Sequence, residues 1–120
     1  MKFCDVFQDG NLSVPAGGQI DVLFNSERED ASGMHASNAT TIKGDVGIAL
    51  ATVQVDVSHP EMTVEILLMN EVIAKGQGSC ALASQRKLLA PVQVGPVRVK
   101  NPTPTAQTVR PRAAFQLKVD

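Results

Sequence analysis

Two histidines, two cysteines and one cluster of acids hold whatever side-chain chemistry this chain can offer. His35 lies beside Ser32 and Ser37 in a polar stretch, and His59 precedes Pro60 in a turn. Acid–base or nucleophilic catalysis needs such an imidazole within hydrogen-bond reach of a second group. Loop and turn histidines are ordinarily solvated instead, and neither is expected to be catalytic. Glu27, Glu29 and Asp30 crowd acidic oxygens together and have the right chemistry for Ca²⁺. They lack the alternating ligands and glycine that define a calcium loop, so they read as a solvated acidic loop. Cys4 and Cys80 are isolated, without CxxC spacing, and read as two small buried hydrophobes rather than as a disulfide, metal ligands or nucleophiles. No helix start follows Gly17-Gly18 or Gly76-Gln77-Gly78, which makes them turn glycines and not phosphate cradles. The chain is expected to be no enzyme and to carry no metal and no cofactor.

The elements that position these residues must come from one small domain. A chain of 120 residues buries roughly two-thirds of its unfolded surface without disulfides or metals. It has no Trp and no Tyr, and Phe3, Phe7, Phe24 and Phe115 are its aromatics, so the core must be aliphatic. The same scarcity removes the stacking platforms that single-stranded nucleic acid uses. The net charge of −1 hides an asymmetry: residues 1–60 carry three Lys/Arg against eight Asp/Glu, and residues 61–120 carry eight against four. No basic run exceeds Arg86-Lys87, so no nucleic-acid footprint is expected. Acidic and basic regions that meet complementary partner surfaces are one reading of the asymmetry, and a purely solvated surface is the other. The N-terminus is too short and too polar for a signal peptide, and no apolar run reaches membrane-spanning length. The expectation is a soluble protein made in a cytosol.

Hydrophobic period sets the fold class. Val46–Val57 and Met62–Met69 are rich in aliphatic and β-branched residues, and Ser58, His59 and Pro60 separate them, which marks two long antiparallel strands. Met62, Val64, Ile66 and Leu68 share one face, and Thr63 and Glu65 the other. Leu67 and Met69 then put apolar groups on that second face. In the longer strand Val46, Ile48 and Leu50 are bulky at even positions, whereas Val53, Val55 and Val57 are bulky at odd ones. Either a β-bulge near Ala51-Thr52 corrects the parity, or the first half turns its even face toward a partner. The out-of-parity residues Ile48, Leu50, Leu67 and Met69 are therefore candidates for a trimer interface. Short strands are expected over 2–7 and 12–14, at Ile20–Phe24 and Thr40–Lys43, in a hairpin turning at Asn70-Glu71, over 79–90 and 91–100, and at Ala113–Val119. Residues 25–39 read as a long polar loop. Eight to ten strands with frequent turn signals predict an all-β antiparallel sandwich.

In order and spacing the elements resemble the jelly-roll superfamily of complement globular heads and tumour necrosis factor, especially its bacterial and bacteriophage members. The likeness runs over residues 18–120. It rests on Ile20–Phe24, the loop Gly33-Met34-His35-Ala36-Ser37-Asn38, Thr41-Ile42 with Gly44, the strand Val46–Val57, the hairpin Ile66–Ala74 and the closing Phe115–Val119. Family members carry aromatics in the long strand, where this chain is aliphatic or small. Their Leu-Xaa-Xaa-Gly-Asp turn appears here as Val94-Gly95-Pro96, without the acid. What the resemblance implies is thus a jelly-roll fold and a trimeric habit, and no ligand specificity.

The functional expectation that follows is a bacteriophage virion protein. It would be a homotrimeric capsid decoration (cement) protein that binds and stabilises the assembled head, with itself and the major capsid protein as partners and no contact with nucleic acid or membrane. It would be made in the bacterial cytoplasm and end on the capsid surface. Residues 1–17 precede the resembling region and hold Phe3, Val6, Phe7, Leu12 and Val14. They are either an arm that grips the shell by adding a strand to it or the first strand of the sandwich itself. A tail or head fibre tip for host-surface attachment, and a cellular trimeric ligand-binding module, are the alternatives.

Overall fold

The computed structural model describes residues 1–30, 32–36 and 39–120. Among these described residues twelve strands follow in chain order: β1 (Lys2–Gln8), β2 (Leu12–Val14), β3 (Gln19–Asp21), β4 (Ser26–Glu29), β5 (Ile42–Gly44), β6 (Gly47–Val55), β7 (Thr63–Leu68), β8 (Glu71–Gln77), β9 (Cys80–Leu88), β10 (Val92–Lys100), β11 (Gln107–Val109) and β12 (Ala113–Val119). Their number exceeds the expected eight to ten because β4 lies in the stretch read as a polar loop and β11 is a three-residue piece, too short to show an alternating pattern in sequence. The first sheet runs β4-β1-β12-β6-β9; the second runs β3-β10-β7-β8, with β5 also pairing β10; β11 and β2 form a small third ladder. All pairings are antiparallel. The expected antiparallel jelly-roll sandwich is the fold observed.

Alternation explains which side chains meet between the sheets. In β12, Ala113, Phe115, Leu117 and Val119 are buried while Lys118 is exposed. Phe115 stacks at a tilt on Phe24, with ring centroids 5.6 Å apart, and aliphatic side chains fill the space around this pair. In β6 the odd residues Ala49, Ala51, Val53 and Val55 face inward along the whole strand. Its pairing with β12 and β9 keeps an unbroken register, which excludes a bulge at Ala51-Thr52. Small inward residues let Ile48 and Leu50 stand outside. Gly47 begins the strand at φ 139°, and a Cβ there would overlap the carbonyl oxygen of Asp120. The chain end thus lies directly against the start of β6, where Ile48 and Asp120 exchange both backbone hydrogen bonds.

Three expectations are corrected at the edges of this frame. The hairpin turns at Met69-Asn70 and not at Asn70-Glu71: Leu68 pairs Glu71, and Met69 and Asn70 both have positive φ (50° and 65°), the two-residue turn that matches strand twist. The stretch expected as a loop over 25–39 contains β4, an edge strand whose polar sequence hides its pairing with β1. Residues 1–17 are built into the sandwich rather than set apart from it. β1 is hydrogen-bonded on both sides, by β4 and β12, and β2 pairs β11. Cys4, Val6 and Val14 are fully buried.

At one end of the sandwich Asn101 fastens two loops together. Its amide donates to the carbonyls of Val14 (3.1 Å), Pro15 (3.2 Å) and Thr105 (2.9 Å). Its Oδ1 accepts from the backbone and hydroxyl of Thr103. Every donor and acceptor of this buried side chain is engaged, which is what burial of an amide requires.

Candidate functional site

The side chains singled out for chemistry do not converge. His35 is buried, contrary to the expectation of a solvated loop histidine: its Nε2 donates to the Ala39 carbonyl (3.0 Å) and its Nδ1 lies 3.3 Å from Glu27 Oε1. Asp30 accepts from the backbone amides of Met34 (2.6 Å) and His35 (2.9 Å), so its carboxylate shapes the turn. Glu29 points to solvent. Ser37 and Asn38, part of the quoted loop pattern, lie outside the described residues. His59 Nδ1 accepts from the Glu61 amide. Among the described residues no three His, Cys, Asp or Glu side chains are placed to hold a metal ion. Both cysteines are free. Burial pushes the Cys4 thiol up to about 12, and the neighbouring Asp30 adds its charge and a hydrogen bond in the same direction. Burial also raises Cys80. Neither is an activated nucleophile.

The surfaces are more informative. On the outward face of the first sheet, the cross-strand register places Asp5, Gln116, Thr52 and Ala83 in one row and Phe7, Ala114, Gln54 and Ala81 in the next. Gln116 Nε2 donates to Asp5 Oδ2 (3.2 Å), and Thr52 donates to Gln116 Oε1 (3.3 Å). Over β12, β6 and β9 these two rows carry no charge. They floor an open depression of about 330 Å³, which Arg28 borders while stacking on Phe7 (4.6 Å). The next row holds Phe3, Lys118, Leu50 and Gln85.

The outward face of the second sheet is built differently. Asp21, Arg98, Glu65 and Lys75 stand directly opposite one another across four strands, alternating in sign. Arg98 Nε donates to Asp21 Oδ1 at 2.9 Å, and Lys100 Nζ lies 3.3 Å from Glu65 Oε1. Cross-strand neighbours of opposite charge stabilise a sheet that faces water.

The four candidate trimer residues fall in separate places. Ile48 and Leu50 lie on the outward face of the first sheet, 43% and 37% exposed. Leu67 is on the second sheet, already buried within one copy, where the strand registers shift beside Gly95-Pro96. It has no side chain left to offer a partner. Met69 is at the hairpin tip and 76% exposed. The candidate arm residues are likewise divided. Val6 and Val14 are core, Leu12 is half-buried against it, and Phe3 and Phe7 lie half-buried on the outward face of β1. A shell-gripping arm made of these residues is not free in the folded chain, because its backbone is committed to β12 and β4 through β1 and to β11 through β2.

One grouping was only partly visible in sequence. Met1, Val46, Ile48, Leu50, Met69 and Leu89 are exposed and gather toward one end of the sandwich. Leu88 pairs Gly47, Lys2 pairs Val119, and Leu68 lines a small internal void with Ala49 and Leu88, so the Met69 hairpin caps the same end. The opposite end holds Asn101, Thr103, Ser58, Ser79 and Gln107, all hydrogen-bonded. Only the tertiary pairing brings these scattered apolar residues together.

No family model matches the sequence, and no curated protein does. Solved structures do match in shape. The globular domain of zebrafish complement 1qA superposes with a TM-score of 0.51 at 10% identity, covering 99% of this chain and 97% of that one. Murine APRIL gives 0.57 at 13% identity, covering 98% and 100%. The Eiger TNF of S. frugiperda gives 0.53 at 13% identity, covering 100% and 94%. The fold is the C1q/TNF-like jelly roll. At these identities the likeness establishes the C1q/TNF-like architecture alone, and the function of this chain has to be argued from its own surfaces.

Proposed function

We propose that this chain is a non-enzymatic structural protein that works as a homotrimer, the outward face of its first sheet turned toward its own copies. The single observation that carries this is the neutral patch of Gln116, Thr52, Gln54, Ala81, Ala83 and Ala114, beside Ile48 and Leu50. Neutral side chains cost less to desolvate than charged ones, and the three alanines allow close backbone approach, whereas the charged rows of the second sheet suit water. Light scattering tests the reading. A trimer mass at micromolar concentration supports it, and a stable monomer overturns it.

The finer reading places the trimer on a bacteriophage capsid as a decoration protein, bound to the major capsid protein. The apolar end supports an end-on seat of this kind, since exposed apolar groups gathered at one pole of a small domain favour contact with another protein. It replaces the N-terminal arm as the shell contact. Sedimentation with assembled shells tests this: Met69→Asp with Leu89→Asp should abolish co-sedimentation while the trimer persists. Wild-type protein that never binds shells removes the decoration role and leaves a fibre tip or a cellular ligand-binding module.

A further inference from the structure

We infer that one copy meets the next head to tail, the basic end of β9 of one against the acidic β4–β1 edge of the other. This rests on the self-association proposed above and specifies its contact. The first sheet ends on two unlike edges. At one, β9 carries Arg86 and Lys87 exposed, and among the described residues neither makes an ion pair. At the other, Glu29 on β4 is exposed and makes no ion pair among the described residues, and directly opposite it on β1 stands Asp5.

Asp5 adds a buried acid to this edge, in a long ion pair with Arg28. It is 9% exposed and its Oδ2 accepts from Gln116, yet its Oδ1 has no hydrogen-bond donor. The guanidinium of Arg28 lies 3.8 Å away and is held over the Phe7 ring. A buried carboxylate oxygen without a donor is costly in an isolated copy. It lies on the face proposed to be covered, where an ammonium or guanidinium from another copy would complete it.

The two edges lie at opposite sides of one sheet, with β1, β12 and β6 between them. A two-fold contact would set each edge against itself, acid on acid or base on base. A head-to-tail contact sets acid on base at every interface, and repeated rotation closes it into a ring. The charge asymmetry between the two halves of the sequence thereby becomes an instruction for orientation.

Charge exchange tests the contact, read by sedimentation velocity at low and high salt. Glu29→Lys alone and Lys87→Glu alone should each weaken association about tenfold or more, with wild-type association itself weakening as salt rises. The combined Glu29→Lys/Lys87→Glu chain should recover to within about threefold of wild type, since the ring then pairs base on acid in the reverse sense. Both sites are exposed, and thermal unfolding checks that each variant is folded. If wild type associates but the single exchanges leave it unchanged, or the combined chain is worse than either, the contact between these two edges is wrong and the self-association stands. A monomeric wild type overturns both.

Discussion

Across the second sheet Asp21, Arg98, Glu65 and Lys75 alternate in sign over four strands, whereas the middle of the first sheet offers Gln116, Thr52 and Ala83 at the equivalent depth. Both are outward faces of antiparallel strands with the same inward alternation, so secondary structure does not distinguish them. Their surroundings do. A ladder of paired charges is stable against water and expensive to strip of it, and a floor of alanine, threonine and glutamine is indifferent to water and easily covered. The inward faces make the fold, and the outward faces differ in what it would cost to cover them.

The sharpest way to break this contrast is to put a charge where the first sheet has none. Ala83→Arg should weaken self-association by about a hundredfold or more by light scattering, because the new charge would be desolvated without a partner. The unfolding midpoint of the monomer should hold. A charge change on the other face, Lys75→Gln, should leave association as it is. Removing the centre of the charged row should do the reverse. Glu65, 4% exposed between Arg98, Lys100 and Lys75, becomes Glu65→Ala at a cost of about 1–2 kcal/mol in denaturant unfolding, with oligomer mass unchanged. If Glu65→Ala disrupts assembly instead, the two faces have been assigned the wrong way round.

A smaller effect compares the interior of the first sheet with its rim. Maleimide should label Cys80 faster than Cys4 in the folded protein, since Cys4 is buried and its thiol is held up to about 12. After unfolding without reductant, thiol titration should find two sulfhydryls, and finding none would mean a bridge. The smallest effect is acid sensitivity. Hydrogen bonding to Lys2 holds Asp45 below its ordinary 3.8, and hydrogen bonding to Ser79 does the same for Asp56. A carboxylate lowered in the folded state adds stability that is present above pH 3.8 and lost as pH falls through the lowered value. Asp45→Asn should therefore flatten the acid limb of the stability curve below about pH 4.

How far the sequence disclosed this arrangement depended on which interactions were local. β12 was legible residue by residue, because Phe115, Leu117 and Val119 alternate with Gln116 and Lys118. The parity change in β6 was visible too, but its cause lay in β12 and β9, whose unbroken register decides against a bulge. Leu67 and Met69 looked equivalent to Ile48 and Leu50 because a strand pattern cannot show a register shift or a turn displaced by one residue. His35 gave no sign of burial, since its partners, Glu27 and the Ala39 carbonyl, come from a strand and a loop that its own neighbours do not imply. Asn101 read as a loop polar residue between prolines, and its grip on residues 14 and 15 is eighty-six positions and more away. The apolar end was legible only in part: Val46, Ile48 and Leu50 stood out by their parity, while Met1, Met69 and Leu89 join them only through tertiary pairing.

The pairing of Lys2 with Val119, and of Ile48 with Asp120, has a consequence for how the chain can be rewired. Met1 and Asp120 are close enough for a short linker to join them, while the turn at Asp9-Gly10-Asn11 lies exposed at the far end of β1. A circularly permuted gene that begins at Asn11 and ends at Gly10 would keep every strand partner and every face described above. It would also sew shut the pole where Met69 and Leu89 cluster and move both free ends to the other. Cargo fused to such a permutant would leave the molecule at the pole opposite Met69 and Leu89, turning that far end into a display platform.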